Sequence, residues 1–332
     1  MAIRGKAKIQ DVAKSAKVSV GTVSHYLNGR FVSKERSRRI KKAIDDLGFT
    51  GNLLAKAMRT QRSSVVGLCV PFTTFSNYAA LIDALEQRAS DASYDVMQVV
   101  SRQDPVKEFQ RIERLVAFKV GGIMLVPSLE PQKMLDFLHK NNVPTVIVSR
   151  LIPDEQRFDQ VAVDHKQTMM RVVQEFISKG HRDLLFLVRF PTLVVTRQRV
   201  EGLKQAIELS AERVRYKVME CSDDEKEFDL QLAAAFKGRS APSGIIISNS
   251  VIASRVIPAL RRRGIAYPKD VSLLVLDNPG WADLVVPKLS YVEQPSRDLA
   301  DMAWRCLAER MVDPLTPPRR VLLDDTIQLR DF

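Results

Sequence analysis

From Val65 onward the chain is punctuated by ten short apolar runs. They are VVGLCV (65–70), DVMQVV (95–100), GIMLVP (122–127), TVIVS (145–149), QVAVD (160–164), LLFLV (184–188), YKVMEC (216–221), GIIISN (244–249), SLLVLDN (272–278) and LSYVEQ (289–294). Helical stretches separate most of them. Near-continuous apolar runs alternating with helices are the signature of a parallel α/β sheet whose strands are covered on both faces. Ten such strands are too many for one small domain, and about 270 residues fit two doubly wound subdomains.

The first 63 residues have a different character. They hold 15 Lys and Arg against 4 Asp and Glu, a net of +11 out of +12 for the whole chain. Positive charge confined to one small module is the footprint of a nucleic-acid contact, because counterion release on neutralising phosphates supplies most non-specific affinity. Within this module the segment Ile9 to Gly29 (IQDVAKSAKVSVGTVSHYLNG) reads as a helix-turn-helix. Ile9, Val12, Ala13 and Ala16 recur at helical intervals and are small enough for a second helix to cross closely. Val18 plugs the turn, Ser19 is placed to cap the second helix, and Val23 and Leu27 are expected on its inner face. That leaves Val20, Gly21, Thr22, Ser24, His25 and Asn28 facing outward, short enough to enter a major groove. A third helix is expected from Ser33 to about Leu47, ending at Gly48. Its outer face would carry Lys34, Arg36, Arg38, Arg39, Lys41 and Lys42. The expected architecture is thus an all-α helix-turn-helix headpiece over residues 1–50 joined to an α/β core over 64–332.

The stretch DVAKSAKVSVGTVSHYLNG, continued by GNLLAKAMRTQRSSVVGLCVP (51–71), resembles the lactose-repressor/purine-repressor family of bacterial transcription regulators. The usual pattern of that family is DVA..AGVS..TVSRVLNG, and the likeness extends over essentially the entire chain. Two departures have consequences. Lys17 stands where the family prefers Gly, which predicts a mild positive-φ strain in the turn. His25 replaces the commoner Arg at a base-contacting position, so the sequence read should differ. The resemblance further implies a hinge helix within residues 51–63 that orders on operator DNA and pairs with its dimer mate. Asn52, Leu54, Ala55, Lys56, Met58 and Arg59 are its candidate contacts, with Met58 in the place of the usual Leu wedge. Taken alone, NLLAKAMR is only about two turns long, marginal as an isolated helix, and reads equally as a linker packed on the core.

The resemblance also implies that the core has the fold of periplasmic sugar-binding proteins, with three chain crossings near residues 163, 291 and 320. One subdomain would span about 64–162 plus 292–319, the other about 163–290 plus 320–332. Ligands in open α/β sheets bind beyond the C-terminal ends of strands. Those ends carry Phe72, Ser149, Arg150, Asp164, Arg189, Asn249 and Asp277. By resemblance, Arg197 in TRQRVEG grips the ligand, with Asn249 and Asp277 as further polar contacts. Departures from the family pattern place Phe72, Ser149 and Ser250 at three positions where carboxylates are usual. The cleft should therefore be more apolar and less negative, with Phe72, Phe75, Tyr78 and Trp281 as stacking surfaces. The effector class this leaves is a sugar, a sugar derivative, or an aromatic or anionic metabolite; a core without any effector is also compatible.

Other classes find little support. Cys69, Cys221 and Cys306 are isolated, with no CxxC pair, and read as reduced buried thiols. There is no apolar leader and no run of about eighteen apolar residues, so a cytoplasmic chain without a membrane role is expected. No dinucleotide, P-loop, zincin or nucleophile-elbow motif occurs, and neither a cofactor nor a metal is implied. The combined expectation is a transcription regulator, a repressor in the first instance, that binds a pseudo-palindromic operator as a homodimer or higher assembly. A small-molecule binding module without a DNA role and an α/β enzyme acting on sugars or nucleosides are the competing readings.

Overall fold

The computed structural model describes residues 7–27, 30–49, 63–237 and 241–332. Asn28 and the hinge candidates Asn52, Leu54, Ala55, Lys56, Met58 and Arg59 lie outside the described residues. The chain divides into two compact units between Ser63 and Ser64.

In the first unit, α1 (Ile9–Ala16), α2 (Val20–Leu27) and α3 (Lys34–Leu47) enclose a small core of Val12, Ala13, Ala16, Val23, Ile40 and Ala43. The local signals act as their chemistry dictates. The Asp11 carboxylate accepts the Lys8 N–H at 2.7 Å, and Ser19 Oγ accepts the Thr22 N–H at 3.1 Å, each satisfying a donor that the first helical turn leaves orphaned. Lys17 closes α1 in the left-handed region at φ 52°, and Gly48 closes α3 at φ 57°. Gly is relaxed there; Lys carries the Cβ penalty. One expectation fails. Leu27 is 37% exposed, and Tyr26 packs against the core beside Val23 instead. The inner face of α2 thus follows an i, i+3 step rather than i, i+4.

The second unit contains two six-stranded sheets. The first has the order β11-β5-β4-β3-β1-β2, from β1 (Val65–Val70), β2 (Asp95–Val100), β3 (Ile123–Leu125), β4 (Thr145–Val148), β5 (Asp159–Val163) and β11 (Arg320–Leu323). The second has the order β12-β10-β9-β8-β6-β7. Its strands are β6 (Asp183–Val188), β7 (Arg215–Glu220), β8 (Gly244–Ile247), β9 (Ser272–Val275), β10 (Ser290–Glu293) and β12 (Thr326–Gln328). All pairings are parallel except β10 with β12. The central strands β3, β4, β5, β8 and β9 are buried along their whole length, which is why they read as unbroken apolar runs.

The helices that matter for the site follow strands. They are α4 (Ser76–Asp91), α5 (Pro105–Ala117), α6 (Gln132–Lys140), α7 (His165–Ser178), α8 (Val194–Glu208), α9 (Glu225–Ala235), α10 (Ser250–Arg262) and α11 (Ser296–Val312). The chain leaves the first sheet after Val163 and returns between Glu293 and Ser296 to build α11, which packs on α4, β4 and β5. It crosses finally at Asp324 and Asp325. That last crossing lies beyond the expected residue 320, because residues 320–323 pair with β5 as an edge strand of the first sheet before the chain moves on. At this third crossing Asp325 is buried and accepts bonds from Thr168 Oγ1 and the Arg171 guanidinium, which pins the strap to α7.

Candidate DNA-reading surface and ligand cleft

On the first unit, α2 turns Val20, Gly21 and His25 to solvent, while Thr22 and Ser24 are half-buried. The Thr22 hydroxyl is already engaged with Ser19 Oγ at 2.9 Å. Lys34, Arg36, Arg38, Arg39, Lys41 and Lys42 are all exposed on α3. This gives one short helix with small outward side chains and a neighbouring helix whose outer face is cationic, a combination suited to reading base edges while holding phosphates.

In the second unit, loops at the C-terminal ends of strands from both sheets close around a cavity of about 70 Å³. Pockets for drug-sized ligands run to about 300–1,000 Å³. A larger guest therefore enters only if the two subdomains part. They are joined by the Arg189 guanidinium over the Phe72 ring, by Val251 packed on the core of the first sheet, and by the contacts that follow. Ser76 Oγ at the start of α4 lies 3.2 Å from Ser250 Oγ at the start of α10, and the Phe72 ring stacks on Phe190 at 6.2 Å between centroids.

The polar lining is dominated by buried arginine. Arg150 is 3% exposed; it donates to Gln103 Oε1 at 3.0 Å, to the Tyr78 hydroxyl at 2.8 Å and to the Pro127 carbonyl. Arg199 is 7% exposed and donates to the carbonyls of Ser248 (3.1 Å) and Leu276 (3.4 Å). Burial pulls its guanidinium below the usual range against the opposing pull of Asp277. Asp277 accepts the Ser250 hydroxyl at 3.2 Å, and burial pushes its carboxyl up to about 7 despite Arg199 nearby. His165, whose Nε2 sits 3.3 Å from the Ser149 carbonyl oxygen, is driven down to about 3 by burial and by Arg199 and Arg150, so it is neutral. At the rim, Arg189 pairs with Asp223 at 3.0 Å and lies over the Phe190 ring.

Of the ligand residues expected from sequence, Phe75, Tyr78, Ser149, Asn249 and Asp277 line this cavity. Four do not. Asp164 is spent as the cap of α7, accepting the N–H groups of Lys166 and Gln167 at 3.1 and 3.0 Å. Trp281 packs on the hydrophobic core beneath the second sheet. Phe72 reaches the site through its stacks on Phe75, at 4.7 Å, and Phe190, and through the Arg189 guanidinium over its ring. Arg197 is exposed on the outer face of α8, and the arginine that points inward is Arg199. The buried stripe of α8 runs Val195, Thr196, Arg199, Gly202, Leu203 and Ala206, and its helical spacing skips position 197. Arg199 was the missed residue, and that stripe was the signal that could have found it. His165 and Gln103 were also missed, since neither sits in an apolar run.

Residues 8–52 match the bacterial regulatory proteins of the lacI family, and residues 173–331 match the periplasmic binding protein-like domain. Over 98% of its length the chain is 25% identical to the HTH-type transcriptional regulator KdgR of Bacillus subtilis, covering 97% of that protein. It is 26% identical to catabolite control protein A of Priestia megaterium, with 97% and 98% of the two chains aligned. The chain thus carries a lacI-family regulatory domain at its start and a periplasmic binding protein-like domain in its core. Among solved structures, the chain superposes on a Lac repressor dimer bound to operator and the anti-inducer ONPF with a TM-score of 0.86, 18% identity and coverage of 98% and 99%. A transcriptional regulator CelR–cellobiose complex gives 0.72 at 21% identity, with the same coverage of both chains. Relatives over most of its length are named as HTH-type transcriptional regulators, and the chain is a transcription regulator rather than an enzyme. No helix among the described residues is long and apolar enough to cross a membrane.

Proposed function

We propose that the chain is a sequence-specific transcription regulator of the repressor type that binds a pseudo-palindromic operator as a homodimer, under control of a small molecule held between the two subdomains of its core. The observation that carries this reading is the union, in one chain, of a lacI-type headpiece with a basic outer face and an α/β core that encloses a polar cavity where its two sheets meet.

Val20, Gly21, Thr22, Ser24 and His25 of α2 are the base-facing set, while Lys and Arg side chains of the headpiece hold phosphates. Residues 51–63 would form the hinge that carries Met58 into the minor groove. Because the closed cavity is small, a ligand that favours a different subdomain arrangement shifts the balance between states, and with it operator affinity. Such a regulator works in the cytoplasm.

Genome-wide footprinting with the full chain tests the reading. Discrete protected sites with two-fold symmetry are the expected result. Uniform protection, or none, would return the chain to a binding module without a DNA role.

A further inference from the structure

We propose that the cleft is built for a small organic anion, whose carboxylate or phosphate oxygens are gripped by Arg150 and Arg199 and whose charge is complemented by Arg189 at the rim. The proposal rests on the reading of this cavity as the effector site.

Charge balance is the first support. Three arginines line the cavity against one lining carboxylate, that of Asp277; Arg189 is already paired with Asp223, so the excess charge rests on Arg150 and Arg199. Arg150 and Arg199 are both more than nine-tenths buried, and all their hydrogen-bond acceptors are neutral: an amide, a phenol and three backbone carbonyls. Neither forms an ion pair among the described residues. Asp277 and Asp325 act on Arg199, and Arg150 acts on Glu108, only through space; a buried guanidinium without a directly paired carboxylate carries a desolvation cost that a bound oxyanion would relieve.

The donors are also unspent. The Nε of Arg150 and the Nε of Arg199 are each buried with no hydrogen-bond partner in the protein. An Arg Nε–H beside a terminal N–H forms the planar fork that matches two oxygens of a carboxylate or phosphate. Backbone dipoles add to this. The N-terminal residues of α4, α8 and α10 line the cavity at Asn77, Val195 and Asn249, and helix N-termini stabilise negative charge.

Apolar rings, Phe75 and Phe190, also line the cavity, so the guest has a hydrocarbon or ring portion as well as its charged end. A neutral polyol could satisfy the free N–H groups but would leave both buried guanidinium groups without a directly paired anion. That difference separates the two ligand classes.

The test uses the full chain without DNA, following thermal unfolding at constant ionic strength set with sodium chloride. The probes are glucose, gluconate and glucose 6-phosphate, which share a six-carbon skeleton and differ in charge, together with acetate and inorganic phosphate. Specific binding to the folded state raises the melting temperature with saturation. At least one of the four anions should do so at concentrations where glucose does not, and gluconate against glucose 6-phosphate tells carboxylate from phosphate. In Arg199→Gln the half-saturating concentration should rise at least about tenfold. Arg189→Gln, at the rim, should raise it several-fold without disturbing the fold, which keeps the test open if Arg199→Gln does not fold. Stabilisation by glucose at lower concentration than by either of its anions, no saturable response to any anion, or unchanged responses in the folded variants would each overturn the proposal. Because no DNA is present, a failure here leaves operator binding standing, and a failure of operator binding leaves this result standing.

Discussion

Asp277 links the cleft to pH. Its folded-state carboxyl titrates at about 7 against an ordinary 3.8. A raised carboxyl contributes stability that is fully present below the unfolded value and is lost as pH rises through the folded one. Its contribution should therefore decline between about pH 4 and pH 7. Glu108, also raised to about 7 by burial while its Oε2 accepts the Ser128 N–H at 2.8 Å, acts in the same sense. His165 acts in the opposite sense: its contribution is present above about 6.5 and lost as pH falls toward about 3. Asp277→Asn should flatten the decline between pH 4 and 7 relative to wild type, as read by denaturant unfolding at each pH. Parallel curves for the two proteins would remove Asp277 from this role.

At the same scale, exposed His25 on α2 is assigned to base readout. His25→Ala should cost about 1–3 kcal/mol on the cognate operator and relax one base position, measured by competition binding; equal loss on random DNA would reassign it to phosphate contact. Single residues are also where sequence reasoning was least reliable. Residues two apart on an α-helix point roughly 200° apart, so the arginine expected at the ligand, Arg197, faces solvent while Arg199 is the buried one. Leu27 was expected inside, and Tyr26 packs there instead: both are large and apolar enough to be buried, and the choice is made by how α2 crosses α1 and α3.

At the scale of elements, most strands were legible because burial on both faces forces unbroken apolar sequence. Two edge strands, β2 and β7, were legible too, but the other two were not. RVLL (320–323) alternates exposed and half-buried residues and TIQ (326–328) has no buried residue, so neither has the long apolar run that two-sided burial forces. Missing β11 is what displaced the expected third crossing. Capping signals transferred well, since Ser19 and Gly48 act through backbone geometry that depends little on tertiary context. The pair α7 and α8, which supplies His165 and Arg199 to the cleft, depends on a close approach that only glycine allows: a Cβ on Gly202 would collide with the Lys166 backbone carbonyl. Gly202→Ala should destabilise the core by about 1–3 kcal/mol or more and weaken ligand responses along with it. Wild-type thermal stability in that variant would mean that the two helices can part without loss.

At the scale of the whole molecule, the division of labour follows charge. A small basic unit precedes a nearly neutral core, and three crossings join the subdomains that enclose the cavity. Two-subdomain architecture was legible from strand count and length, whereas the cavity and its arginine-rich lining needed the three-dimensional arrangement, because those residues come from loops and helix starts spread between Phe75 and Gln294. The claim on which the rest depends is sequence-specific DNA binding. The most direct measurement is a fluorescence anisotropy titration of the full chain on an operator duplex enriched from random sequence. A shuffled duplex of the same composition is the control, and both are titrated between 50 and 200 mM salt. The operator should bind about 10³-fold or more tighter than the shuffled duplex, with log affinity falling linearly in log salt concentration. Equal affinity for the two duplexes across that range would contradict it.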